Sequence, residues 1–269
     1  MKKTIKRGFL VTICLFSLLL CCCEAQQQEN QDTKDELRSE EKVTQGLVME
    51  GSTDDGVTYQ YNKVTATLTV SGKIIKGADS IDDLEEIPWV KWNDDTKELV
   101  LKDGVECVTD RAFMDFRKLE KIVFPDTLKK IGSYAFFDSI REIKKLELPD
   151  SIEEIGDCAF ALKLPSNKGF VEIRLPKKLR CIGEAAFSSQ LLTSITIPEN
   201  VELIGDRAFK ECYWLETVTV KSKKIKKAGG CIFLHTNDEL AIYVPKELER
   251  KYQRMLGGTD GHVYPMKDK

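Results

Sequence analysis

A chain of 269 residues, 42% hydrophobic and 32% charged, carries enough apolar material for a folded body, which excludes a wholly disordered chain. The formal net charge is −3, with lysines and acids interspersed, and no basic block resembles a nucleic-acid face, so nucleic acid is not expected as a partner. The first element in chain order does not belong to the fold. Lys2, Lys3, Lys6 and Arg7 precede an apolar run, Phe9 to Leu20, that is shorter than the roughly 20 residues needed to span a bilayer. A positive start and a short apolar run form the pattern of an export signal. The run ends in Leu18-Leu19-Leu20-Cys21-Cys22-Cys23, not in a small-residue cleavage site.

That ending resembles a bacterial lipoprotein signal: Leu, two small or apolar residues, then the lipid-bearing Cys. The resemblance implies lipidation at Cys23, with Leu20 and Cys22 before it, or at Cys22, with Leu19 and Cys21 before it. Cys21 follows the bulky Leu20 and fits least. Residues 1–23 are thus expected to be the signal, and the chain to be exported and lipid-anchored at the outer membrane or cell surface. Residues 24–45 hold no aromatic and only Leu37 and Val43 as large aliphatics, too little burial to offset ordering entropy. They read as a polar tether, on the order of 25 Å root-mean-square if coil-like.

Beyond the tether the sequence repeats itself. IGSYAF at 131–136, IGDCAF at 155–160, IGEAAF at 182–187 and IGDRAF at 204–209 share one phrase, with weaker copies VTDRAF at 108–113 and AGGCIF at 228–233. The repeated Phe113, Phe136, Phe160, Phe187, Phe209 and Phe233 are spaced 23, 24, 27, 22 and 24 apart, within the leucine-rich-repeat range. Between them lie short alternating apolar stretches that end in Pro125, Pro149, Pro176, Pro198 and Pro245 and read as strands. Proline lacks a donor and has a restricted φ, so it ends each strand and starts a turn. From Pro125, Pro149, Pro176 and Pro198 to the next Phe is always 11 residues, whereas from Phe to the next Pro it varies between 11 and 16. Insertions therefore gather on one side, the largest at 164–169. The shared glycines, Gly132, Gly156, Gly183, Gly205 and Gly229, need either φ > 0 or a close approach of backbones.

The pattern LxxIxLPxxLxxIGxxAFxxC, followed almost throughout by residues 192–212, resembles the BspA-like, Treponema-type leucine-rich repeat. TATLTVSG at 65–72, Pro88-Trp89 and ELVLKDGVECVTDRAF at 98–113 resemble the N-terminal module of such proteins. The resemblance implies an α/β leucine-rich-repeat solenoid, with a strand ladder on one face and short strands, turns and helical segments on the other. It would comprise an N-terminal β cap at 46–97, repeats at 98–245 and a C-terminal cap at 246–269, beginning with a helix that carries Leu248, Tyr252 and Met255 on one face and ends at Gly257-Gly258.

Catalytic signals are absent from the sequence. His235 and His262 lack a second ligand at metal spacing, and no nucleophile elbow, phosphate loop or dinucleotide fingerprint occurs. Neither a catalytic site nor a metal or cofactor is expected. Cys107, Cys158, Cys181, Cys212 and Cys231 lie beyond the signal. Cys107 pairs in register with Cys181, and Cys158 with Cys231, but each pair is three coils apart, roughly 14 Å at sheet spacing. Disulfides need Cα atoms within about 7 Å. These cysteines are expected to be buried small residues.

Strand alternation predicts two outward columns as the ligand-binding face. One is Glu98, Lys121, Lys145, Glu172, Ser194, Thr217 and Ala241; the other is Val100, Val123, Glu147, Arg174, Thr196, Thr219 and Tyr243. Tyr213 and Trp214 read either as exposed on the insertion side or as core. The family resemblance implies a surface binding protein or adhesin for a protein ligand, such as fibronectin or fibrinogen of the host matrix, or for other cells. A periplasm-facing lipoprotein that scaffolds an envelope complex is the alternative.

Overall fold

The computed structural model describes residues 47–164, 167–256 and 261–266. The proposed lipid-bearing Cys22 and Cys23, the tether and Gly257-Gly258 lie outside them. Residues 49–269 form one unit built of stacked coils. Each coil contributes one long and one short strand, because Pro ends the first and the Ile-Gly pair starts a turn after the second. The architecture is a parallel leucine-rich-repeat solenoid in which helix is scarce. Among the described residues the only α-helix is Glu249–Leu256, so the opposite side of the coils is made of two-residue strands and turns.

The short strands form one continuous parallel ladder of seven: Ile74–Ile75, Cys107–Val108, Lys130–Ile131, Glu154–Ile155, Cys181–Ile182, Leu203–Ile204 and Lys227–Ala228. The long strands do not form a single ladder. Val48–Ser52, Thr58–Asn62, Thr67–Ser71, Glu98–Leu101 and Lys121–Val123 make one sheet, in which the second strand runs antiparallel to the third and the last three pair in parallel. Lys145–Glu147 and Glu172–Arg174 make a second, and Ser194–Ile197, Thr217–Val220, Ala241–Val244 and His262–Pro265 a third. The last of these follows the helix and adds a strand that the sequence reading did not anticipate. The predicted helical face is only partly realised: Tyr252 and Leu256 are buried, while Leu248 and Met255 pack half-buried against the core.

A file of aromatic rings runs through the coils. Trp89, Phe113, Phe136, Phe160, Phe187, Phe209 and Phe233 stack at 5.4–5.8 Å between centroids and within 23° of parallel. All seven are at most 1% exposed. Each such contact contributes about 0.5–1.5 kcal/mol beyond area burial. Trp89 starts the file, and its Nε1–H donates to the Ala112 carbonyl at 2.8 Å, which satisfies the buried indole. The Ala preceding the Phe in all but the last copy is also buried, so the small side chain lets neighbouring coils approach.

The repeated glycines do not adopt positive φ; the requirement is close approach. A Cβ on Gly156 would lie 2.6 Å from the Gly132 carbonyl carbon and the Ser133 nitrogen, which are backbone and cannot yield cheaply. Positive φ falls instead two residues before each Phe, at Arg111, Tyr134, Cys158, Ala185, Arg207 and Cys231, with φ of 50–59°. This left-handed turn swings alternate amides toward the next coil. The N–H groups of Tyr134, Phe136 and Asp138 donate to the carbonyls of Asp157, Ala159 and Ala161 at 2.7–2.9 Å, and other coils repeat the pattern. The gain is a third set of rungs between coils, set against roughly 1–2 kcal/mol for each L-residue held in this region.

The position three after the Phe has its own task. Ser139 Oγ donates to the Phe113 carbonyl at 2.5 Å, Gln190 Nε2 to that of Phe160 at 2.6 Å, and Cys212 Sγ to that of Phe187 at 3.3 Å. Cys212 is fully buried, which pushes its thiol up to about 12. All five cysteines in the described residues are free. The expectation that they are buried holds for Cys212 only. Cys107, Cys158 and Cys181 are half-buried and Cys231 is exposed, because the turn before the Phe leaves that side chain at the surface.

Candidate functional site

The long strands place the two predicted columns on their outer face because inward alternation hands Leu99, Ile122, Leu146, Ile173, Ile195, Val218 and Ile242 to the core. Lys121, Lys145, Glu147, Glu172, Arg174, Ser194, Thr196 and Tyr243 are exposed, while Glu98, Val123, Thr217 and Thr219 are half-buried. The columns are brought together within each sheet but not along the whole molecule. Among the described residues, no ladder bond joins Lys121–Val123 to Lys145–Glu147, or Glu172–Arg174 to Ser194–Ile197. The single continuous surface expected from the repeat is divided in three. At the second division the reason is length: a Phe-to-Pro arc of 16 residues, from 160 to 176, is followed by one of 11, from 187 to 198. Grooves of about 540 and 650 Å³ lie at the two divisions.

The three sheets differ in chemistry. In the middle, charges pair among themselves. Lys145 lies 3.3 Å from Glu172 and 3.6 Å from Glu147, and this company, Glu172 first, raises its ammonium above the ordinary lysine value. The N-terminal sheet has a pair of the same kind, with Lys121 2.6 Å from Glu98. Arg174 and Lys177 both hold Asp150, at 2.5 and 2.8 Å, and these bonds, Lys177 first, keep its carboxyl far below the ordinary range. Such exposed pairs contribute only about 0–1 kcal/mol each.

The C-terminal sheet carries no acid, lysine or arginine in its columns. Ser194 pairs in register with Thr217, Ala241 and then His262; Thr196 pairs with Thr219, Tyr243 and then Tyr264. His262 and Tyr264 were missed by sequence reasoning, although Pro265 ends their strand as Pro245 ends the one before it. Tyr243 and Tyr264 lie 5.9 Å apart between ring centroids, and His262 lies 6.4 Å from Tyr264. The N-terminal sheet continues the same columns backward through Thr67 and Thr69, which pair with Glu98 and Val100. Tyr213 and Trp214 are both on the surface, at 49% and 63% exposure, so the core reading of that pair does not hold.

Residues 91–167 and 163–260 match the family model of the BspA type leucine rich repeat region, in 6 copies. That is more than half of the sequence, and the chain belongs to this family. The fold is similar to a leucine-rich repeat protein from Bacteroides ovatus ATCC 8483, with 22% identity, a TM-score of 0.50 and coverage of 64% of this chain and 43% of that one. This chain thus matches less than half the length of the B. ovatus protein. A leucine-rich repeat protein from T. pallidum is also similar, with 21% identity, a TM-score of 0.44 and coverage of 81% and 96%. No curated protein sequence gives a significant match. Leucine-rich-repeat solenoids are typically non-enzymatic modules that bind proteins.

Proposed function

We propose that this protein is exported, lipid-anchored through Cys23 or Cys22, and held at the cell surface, where its outward strand face binds a protein partner. The partner class is host matrix protein of the fibronectin or fibrinogen kind, or a protein of other cells. The observation that carries the reading is the C-terminal sheet, where Ser194, Thr196, Thr217, Thr219, Tyr243 and Tyr264 form an uncharged face of hydroxyls and aromatics. Tyrosine suits this use: it offers large contact area and a polar end at low entropy cost. The export signal and polar tether in the sequence support the placement. Protease and antibody applied to intact cells test it, and a domain shielded from both would sink the surface reading in favour of a periplasm-facing scaffold. Binding of the purified chain to immobilised fibronectin and fibrinogen tests the partner. Replacing both Tyr243 and Tyr264 by Ala is expected to weaken that binding by about 2 kcal/mol or more if they act as anchors.

A further inference from the structure

The backbone that passes through each strand-ending Pro forms the rim of the long-strand face. In three consecutive coils the rim reads RLPKKLR at 174–180, PENVELI at 198–204 and KSKKIKK at 221–227. These stretches hold nine Lys or Arg against two acids, in a chain whose net charge is −3. Stacking brings them side by side, since Cys181 pairs with Leu203 and Leu203 with Lys227 in the short ladder. Side chains cross all three. Asn200 Nδ2 donates to the Lys177 carbonyl at 2.9 Å, and Lys224 Nζ donates to Asn200 Oδ1 at 2.7 Å. Arg180 and Lys226 both hold Glu202, at 3.1 and 2.5 Å, so one of the two acids is already neutralised. From outside the rim, Asp150 takes Arg174 and Lys177, and Glu247 takes Lys223. Lys178, Lys221, Lys224 and Lys227 have no carboxylate partner among the described residues.

This rim borders the groove at the second division of the long ladder. The groove walls carry Arg174, Lys177, Lys221, Ser194, Thr196 and Asn200, with Glu199 as the single acid. Backbone donors join them. The register matches Ser194 to Thr217, whose N–H donates back to the Thr193 carbonyl at 3.3 Å. The N–H groups of Ser194 and Thr196 point the same way, toward the strand Glu172–Arg174 with which they make no ladder bond. Cations, hydroxyls, an amide and backbone N–H groups outside the ladder thus line one open groove, a donor set that suits oxyanions.

The composition narrows the ligand. Seven of the nine cations are lysine, a point charge without the fork that fixes a single carboxylate. Lysine-rich runs suit a polyanion such as heparin. No aromatic lines the groove, so it offers no stacking platform for bases. Hydroxyls interspersed with the charges match a chain that alternates sulfate with sugar hydroxyl. We propose that this rim and groove bind a linear sulfated polysaccharide. The groove shares Ser194 and Thr196 with the uncharged face assigned to the protein partner, but its cations lie outside that face and away from Tyr243 and Tyr264, and its chemistry does not depend on where the domain resides.

The test is calorimetric titration of the purified full chain with heparin oligosaccharide, desulfated heparin, poly-glutamate and single-stranded DNA. Heparin is expected to bind most tightly, and to weaken steeply with added salt as counterions compete. The triple variant Lys177→Gln, Lys221→Gln, Lys224→Gln is expected to lose at least about tenfold in affinity, while Lys73→Gln, Lys76→Gln binds as the parent does. Thermal unfolding of both variants at the parent temperature confirms that folding is intact. Full heparin affinity in the triple variant overturns the proposal, as does equal binding of desulfated heparin or tighter binding of poly-glutamate or DNA. Loss of fibronectin binding on Tyr243 and Tyr264 replacement leaves this result unchanged, so the two readings fail separately.

Discussion

The two arcs of each coil are held together in different ways. From Pro to Phe, four coils use 11 residues each and the same parts: a short strand, a glycine against the neighbouring backbone, a left-handed turn and a buried Phe. This arc carries the ladder that runs unbroken through seven strands. From Phe back to Pro the length varies from 11 to 16, and the buried polar side chains differ from coil to coil, even where Ser139, Gln190 and Cys212 share one position and one task. Asp138, fully buried, holds Arg117 at 2.9 Å and Arg141 at 2.6 Å and accepts the Lys163 N–H at 3.2 Å. Gln190, 1% exposed, ties Phe160 to Phe170 through its two amide atoms. This arc leads into the ladder that divides in three. Interchangeable parts keep strands in register from coil to coil; single-use parts tolerate insertion and give up continuity. The grooves of about 540 and 650 Å³ lie where that continuity is lost.

Substitutions can break or sharpen this contrast. The largest effect is expected at Phe160, the middle of the ring file. Phe160→Ala leaves a void between Phe136 and Phe187 and should cost about 3–5 kcal/mol in urea unfolding. Next is Asp138→Ala, which strands two guanidinium groups. Arg117 is half in solvent and can rehydrate, so the cost should fall near about 3 kcal/mol, the low end for broken buried pairs. An equal or larger cost than at Phe160 would show that single-use parts matter as much as repeated ones. Gly156→Ala forces a Cβ against Gly132 and should cost about 1–3 kcal/mol or more. Pressing neighbouring coils apart should also speed amide exchange at position 156 and at Gly183, whose N–H groups donate across to Ile131 and Ile155 at 2.8 Å beside the continuous ladder. Ala185→Gly relieves a left-handed residue, φ 50°, and should gain up to about 1 kcal/mol. A loss of stability there would mean that the turn is less strained than its dihedral implies. Trp214→Ala should change stability by no more than about 0.5 kcal/mol, since the side chain is 63% exposed on the variable side.

Much of the fold was legible because repetition is a one-dimensional property. The Phe and Pro registers identify the coil, the constant arc and the inward alternation, and from these the outward columns follow directly. Resolving the glycine question needed coordinates: the same Gly-x-x-Ala-Phe phrase serves positive φ or close approach equally well, and only the stacked neighbour decides. The left-handed turn left no trace, because Arg, Tyr, Cys and Ala occupy it and none of them signals positive φ.

The sequence by itself determined the repeat, the family and which side of a strand faces out, since these depend on spacing along one chain. Only the tertiary structure decided where the long ladder divides, that His262 and Tyr264 extend its C-terminal columns, and that two basic stretches separated in sequence meet across a single coil. Those features depend on how unequal arcs stack on one another, and arc length is converted into strand register only when neighbouring coils are in contact.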